Sequence, residues 1–148
     1  MIRSSLFICC VLLVVGCGST KKVPKIIAGV HFVESESLGE VLDMAANSDK
    51  LVFVDFYTTW CLPCKQMDED VYPDQDLGDE FNKHFVSYKV DAEKDNGPNL
   101  AFLYEVYAYP TLLFMDTKGR VLVRKNGAAY HTEMRRLMAE ALALKKPL

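Results

Sequence analysis

The chain has 148 residues, half of them hydrophobic and a quarter charged, with a formal net charge of −3. That length suits one domain able to bury its own core, and the balance excludes a disordered or fibrous chain. Seventeen basic against 20 acidic residues leave no electrostatic footprint for nucleic acid.

The amino terminus differs from the rest. Arg3 precedes an apolar run from Leu6 to Val15, followed by Gly16 and Cys17. A basic start, a short apolar run and small residues after it predict a signal peptide. The run is too short to span a bilayer comfortably, which takes about 20 residues. Val14-Val15-Gly16-Cys17 resembles a bacterial lipobox. The resemblance implies cleavage before Cys17 and a diacylglycerol thioether on its sulfur, and several acyl chains anchor stably where one is marginal. The expected division is a lipoprotein signal peptide over 1–16, a lipid-anchored tether over 17–36 and a folded domain over 37–148. An uncleaved hydrophobic anchor is the alternative.

This reading reduces the cysteine count. Cys9 and Cys10 leave with the signal and Cys17 is lipidated, so Cys61 and Cys64 are the thiols that remain of five cysteines. An exported chain with one Cys-x-x-Cys has no structural disulfide framework. Its pair is therefore expected to be worked rather than to staple the fold.

Within the tether, Lys25 to Phe32 could form a short strand. Leu38, Val41, Leu42 and Ala45 recur with helical spacing, with Ser35 or Ser37 as the cap and Glu40 placed as in a capping box. Leu51-Val52-Phe53-Val54-Asp55-Phe56-Tyr57 reads as a buried strand. A helix follows Cys64 through Asp70 until Pro73 interrupts it, and a further helical piece runs from Asp76 to Lys83. Phe85 to Asp91 reads as a strand. Leu100, Leu103 and Tyr104 have the spacing of a short helix. Thr111 to Met115 and Arg120 to Arg124 form a hairpin about Asp116-Thr117-Lys118-Gly119, broken by Gly127. Met134, Leu137, Met138, Ala141 and Leu144 mark a last helix, stopped by Pro147, whose methionines are core packing. The order predicts an α/β fold, a mixed sheet with helices on both faces.

The chemistry centres on Thr58-Thr59-Trp60-Cys61-Leu62-Pro63-Cys64-Lys65, where strand gives way to helix. Amides at a helix N-terminus stabilise a thiolate on the first cysteine, and a thiolate is the nucleophile that attacks a disulfide. The second cysteine, one turn on, can resolve the mixed disulfide. Trp60 is expected beside the sulfurs as a surface platform. Pro63 suits a first helical turn, and Lys65 could add positive charge. A permanent disulfide or half of a zinc site are the bland readings. Zinc needs about four ligands, and His31, His84 and His131 show no ligand spacing with the cysteines, so no metal is expected. Asp55 stands in an apolar strand, where burial should raise its pKa and suit it to exchange a proton with the resolving thiol. A solvent-facing carboxylate is the alternative.

Asp55-Phe56-Tyr57-Thr58-Thr59-Trp60-Cys61-Leu62-Pro63-Cys64-Lys65, with Tyr109-Pro110-Thr111 further on, resembles the thioredoxin-fold proteins over roughly residues 35 to 145. The resemblance implies an exposed nucleophile at Cys61, a resolving thiol at Cys64, a redox-active disulfide between them in place of a bound cofactor, and a buried acid at Asp55. It also implies a cis bond before Pro110, in a loop that pairs with an extended substrate. Tyr109 replaces a small aliphatic residue there and could narrow that groove or simply pack. The family often places a lysine near the buried acid, and counting back from Asp91 its position falls at Ser87, with Lys89 nearby.

These readings lead to a thiol–disulfide oxidoreductase tethered outside the cytoplasm, acting as a monomer on disulfides of exported proteins. Leu62 replaces the family's common Gly, so no potential can be assigned. The short Cys64–Pro110 separation excludes the inserted helical domain of strong oxidants and favours a reductant. A reductant there needs electrons, hence a membrane thiol donor. The alternatives are a non-catalytic peptide-binding or chaperone module, a disulfide oxidase or isomerase, and a thiol peroxidase, for which no Thr and Arg cluster is evident.

Overall fold

The computed structural model describes residues 28–145. The expected signal peptide, Cys9, Cys10, Cys17, the first part of the expected tether and Pro147 lie outside them. Helix α1 (Leu38–Asn47) leads into strand β1 (Leu51–Tyr57), then α2 (Leu62–Asp70), α3 (Gln75–His84), β2 (Phe85–Asp91), α4 (Gly97–Leu103), β3 (Thr111–Met115), β4 (Val121–Asn126) and α5 (His131–Leu144). The sheet has the order β2-β1-β3-β4. β2 runs parallel to β1, while β1/β3 and β3/β4 are antiparallel.

The strand at the centre explains its own composition. β1 is covered on both faces, so it is an apolar run rather than an alternating one. Leu51 and Phe53 pack on one side with Met67, Leu77, Phe81, Phe114, Met134 and Leu137, the face covered by α2, α3 and α5. Val52, Val54 and Phe56 pack on the other with Leu38, Val41, Ala45 and Leu100. Strand side chains alternate between faces, so Asp55 shares the side of Leu51 and Phe53.

Local signals set the helix ends. Ser37 caps α1 by accepting from the Glu40 amide at 3.3 Å. The Glu40 carboxylate accepts from the Ser35 hydroxyl rather than from the Ser37 amide, so both serines and Glu40 form the cap. α2 stops ahead of Pro73, and Asp74 starts α3 by accepting from the Leu77 amide at 2.7 Å.

One expectation changes. The tether was expected to reach residue 36, but from Gly29 the chain lies against the domain. Val30 donates its amide to Tyr72 and Val33 to Ser87, and Phe32 bridges to Ser87 beside the edge of β2. Gly29 approaches Tyr72, Pro73 and Gly78 so closely, with φ +88°, that no side chain fits at either glycine. The short helix expected from Leu100, Leu103 and Tyr104 is α4, with Leu100 buried and Leu103 exposed at its end. Glu105 turns the chain at φ 51°, and Ala101 and Val106 fill the core.

Candidate active site

The turn after β1 delivers the two cysteines. The Cys61 amide donates to the Thr58 carbonyl at 3.2 Å, and the Cys61 carbonyl accepts the first helical bond, from Lys65, also at 3.2 Å. Cys61 is therefore the N-cap of α2. Its sulfur takes the role that a hydroxyl or carboxylate oxygen usually plays, accepting from the Cys64 amide at 3.2 Å. Pro63 occupies the first turn. Cys61 and Cys64 are joined as a disulfide, with 5.3 Å between their Cα atoms. Both are buried in this oxidised form, at 3 % and 2 % exposure. Resemblance implied an exposed Cys61. The sulfur is instead turned in over the helix start, and its neighbours Trp60 and Leu62 carry the exposure, 65 % each. Lys65 is on the exposed side of α2.

The peptide bond before Pro110 is cis, as expected. β3 starts directly after it and pairs with β1, Thr111 opposite Phe56, which brings the loop to the strand end that leads to the cysteines. Pro110 is buried and its carbonyl accepts from the Gly127 amide at 2.7 Å. The Tyr109 ring meets Trp60 edge-on, with centroids 6.0 Å apart and planes at 83°. Trp60 also donates its indole N–H to both carboxylate oxygens of Glu93, each at 3.0 Å. The Trp60–Tyr109 contact thus joins the residue just before Cys61 to the residue just before Pro110.

Asp55, in β1, is 1 % exposed. Its Oδ2 accepts from the Tyr72 hydroxyl at 2.9 Å and from Lys89 Nζ at 2.8 Å. Oδ1 is buried and has no hydrogen-bond partner among the described residues. Lys89 also pairs with Asp68 at 2.6 Å. Burial pushes the Asp55 carboxyl above its ordinary range, and the Lys89 charge and the two donors offset only part of that cost. For Lys89 the balance is opposite. Burial pulls its pKa down, but Asp55 and Asp68 outweigh it and hold the ammonium above its usual value.

Here the structure corrects the sequence count. The expected lysine position, Ser87, faces Phe53 in the β1/β2 register, whereas Lys89 stands directly opposite Asp55. The departure is one of numbering along β2; the ion pair is present. Tyr72, Asp68 and Glu93 carry no local motif that marks them. Only the register could have found Lys89, because with Leu51 aligned to Phe85 it is the cation that falls across from the acid.

A thioredoxin-like domain model matches residues 38–142. The chain belongs to the thioredoxin-like family of thiol–disulfide oxidoreductases. A solution structure of a proposed disulphide-isomerase from Bacteroides thetaiotaomicron is 41% identical, with a TM-score of 0.70, over 80% of this chain and 98% of that one. Thioredoxin Y2 of Arabidopsis thaliana chloroplasts is 31% identical over 118 residues, 79% of this chain and 66% of the relative. The thiol:disulfide interchange protein DsbD of Pseudoalteromonas atlantica is 33% identical over 79 residues, which is 51% of this chain and 13% of that much longer protein. The chain thus spans just under two thirds of the first of these curated relatives and a small part of the second.

Proposed function

We propose that this thioredoxin-like protein is a membrane-tethered, extracytoplasmic reductant of disulfides in exported proteins. The observation that carries the redox role is the Cys61 sulfur at the N-cap of α2, accepting the Cys64 amide. Helix-terminal amides favour charge on that sulfur, so reduced Cys61 is the nucleophile and Cys64 the resolving thiol. Asp55 takes the proton from Cys64 as resolution begins, directly or through one water. A client lies along Trp60, Tyr109 and Pro110. Among the described residues no hydrogen bond takes up the Tyr109 amide or carbonyl, which leaves both for an extended peptide.

Reduction rather than oxidation is supported by the path from Cys64 to Pro110. It holds only the rest of α2, then α3, β2 and the short α4, with no inserted helical domain. Location and anchoring rest on the expected signal peptide and on Cys17, and similarity to a segment of an interchange protein supports the location alone. The electrons would come from a membrane thiol donor.

The test is reduction of insulin disulfides by the purified protein, beside a redox titration of the Cys61–Cys64 pair. Activity that disappears in Cys61→Ser and a potential near the reducing end of the known range, about −270 mV, support the reading. An inactive wild type would leave a peptide-binding module. A potential near −120 mV would make the protein an oxidase. Cys17→Ser should release the protein from membranes, and continued pelleting would replace the lipid anchor with an uncleaved one.

A further inference from the structure

We infer that Tyr72 is a positioning residue for Asp55: together with Lys89 it claims Oδ2 and leaves Oδ1 as the oxygen that exchanges a proton with the resolving thiol. The inference rests on the acid–base role proposed above for Asp55.

A carboxylate has two oxygens, each able to accept, and which one takes the proton depends on what the other holds. In this site both donors converge on Oδ2, the phenol at 2.9 Å and the ammonium at 2.8 Å. Placing a proton on Oδ2 would set it against two donors and break a hydrogen bond in a dry site. Oδ1 is buried with no hydrogen-bond partner among the described residues, so it can receive a proton at no such cost.

The donors are themselves held. Lys89 Nζ bonds Asp68 and lies 5.1, 4.8 and 4.9 Å from the ring centroids of Phe32, Tyr57 and Tyr72. Three aromatic faces about an ammonium favour the charge and restrict its swing. The Tyr72 ring packs edge-on against Phe32 at 4.9 Å and Phe53 at 6.3 Å. Burial, and then the Asp55 charge, push the Tyr72 phenol well above its ordinary value, so it remains a donor at any working pH. The groups that face Asp55 are thus Lys89 from β2, Asp68 from α2 and Tyr72 from the turn after α2.

The step balances. The Cys64 thiol proton moves to Asp55 Oδ1, and the Cys64 thiolate attacks Cys61 in the mixed disulfide. The Cys61–Cys64 bond forms as the Cys61–client bond breaks, and the client leaves as a thiolate that is then protonated. The client gains two electrons and the cysteine pair loses two.

Tyr72→Phe keeps the ring and removes the donor. In the detergent-solubilised full chain, the oxidised-state titration of the Asp55 carboxyl, followed by carbon-13 NMR, should move up by about one pH unit. The pH profile of single-turnover resolution should move with it. Site-specific 3-fluorotyrosine at position 72, a stronger donor of the same shape, should move both down, and it serves as the test if the phenylalanine variant does not fold. Titration and profile that stay at their wild-type positions would overturn the inference. A pH profile unchanged in Asp55→Asn would overturn the acid role beneath it. An altered Asp55→Asn beside an unaltered Tyr72→Phe would overturn the Tyr72 inference alone.

Discussion

The surface of the site and its buried floor are built in different ways. At the surface, Trp60 and Leu62 are exposed around the buried Cys61 and Cys64, all four from one short turn, and Tyr109 and the buried Pro110 come from one loop across from it. In the floor, buried Asp55 and Tyr72, half-buried Lys89 and the exposed Asp68 that holds it come from a strand, a turn, a second strand and a helix. Sulfur ionisation is therefore a property of local backbone, because a helix N-terminus supplies the donor wherever the helix starts. Proton handling is a property of the tertiary structure, because it requires the β1/β2 register and the packing of the turn after α2. A change at the surface should alter what is bound, and a change in the floor should alter how fast the second step runs.

The largest effect that separates the two is expected at Asp55. Removing a general acid–base group costs about 10²-fold or more in rate. Asp55→Asn should lower turnover by about that factor, with the loss in resolution of the mixed disulfide, while alkylation of reduced Cys61 changes little. Stopped-flow measurement of both steps checks this. Equal slowing of attack and resolution would show that the floor also tunes the nucleophile, and the division between surface and floor would fail.

The same division decides what was legible in the sequence. The surface was readable because its signals are short-range: the strand run from Leu51, the Trp-Cys-x-x-Cys, Pro63 in a first turn, and Tyr109-Pro110. β1 to β4 and the amphipathic helices followed from periodicity, and Pro73 and Gly127 marked breaks that the structure shows. Asp55 stood out as the one charge in an apolar strand. Its partners did not. Counting back from Asp91 pointed to Ser87, because distance along one strand says nothing about the register between two. Tyr72 sits just before a proline in what reads as a turn, and nothing local shows that its hydroxyl reaches 17 residues back to an acid. Phe32 reads as tether or as the end of a short strand, and nothing local shows that its ring packs against Tyr72 and Phe53. Burial of Cys61 was hidden for a related reason, since an N-cap sulfur turned inward and its exposed neighbours have the same sequence as a sulfur turned outward.

A smaller effect is expected at the surface. Trp60 is exposed and is held by Glu93 and the Tyr109 ring, so the fold does not depend on it. An aromatic contact of this kind contributes about 0.5–1.5 kcal/mol beyond area burial. Trp60→Ala should raise the KM for a peptide disulfide by about 3- to 10-fold, with kcat nearly unchanged. A fall in kcat with constant KM would mean that Trp60 acts on the sulfurs rather than on the client.

The last prediction concerns stability and has a sign that follows from burial. Asp55 has a folded-state pKa above its ordinary one, so the native state holds the proton more tightly than the unfolded chain. Its contribution is full below the unfolded pKa and is lost as pH rises through the folded one. Asn cannot ionise and escapes that loss. Asp55→Asn should therefore be more stable than wild type at neutral pH, with the gap closing towards about pH 4. Lys89 does not become an orphan in this variant, since it keeps Asp68 and its side chain is 22% exposed. Asp116, in the β3–β4 turn, is the control. Burial pulls its pKa up, but hydrogen bonds from Arg120 and the Lys118 amide outweigh that and hold the carboxyl below its ordinary value. Its contribution is present above the unfolded pKa and is lost as pH falls through the folded one, so Asp116→Asn should be less stable than wild type at neutral pH. Urea midpoints at pH 7 and pH 4 decide both. An Asp55→Asn protein weaker than wild type at pH 7 would mean that the Lys89 pair outweighs the desolvation of the buried carboxylate, and the acid would then be too firmly ionised to hold the resolving proton.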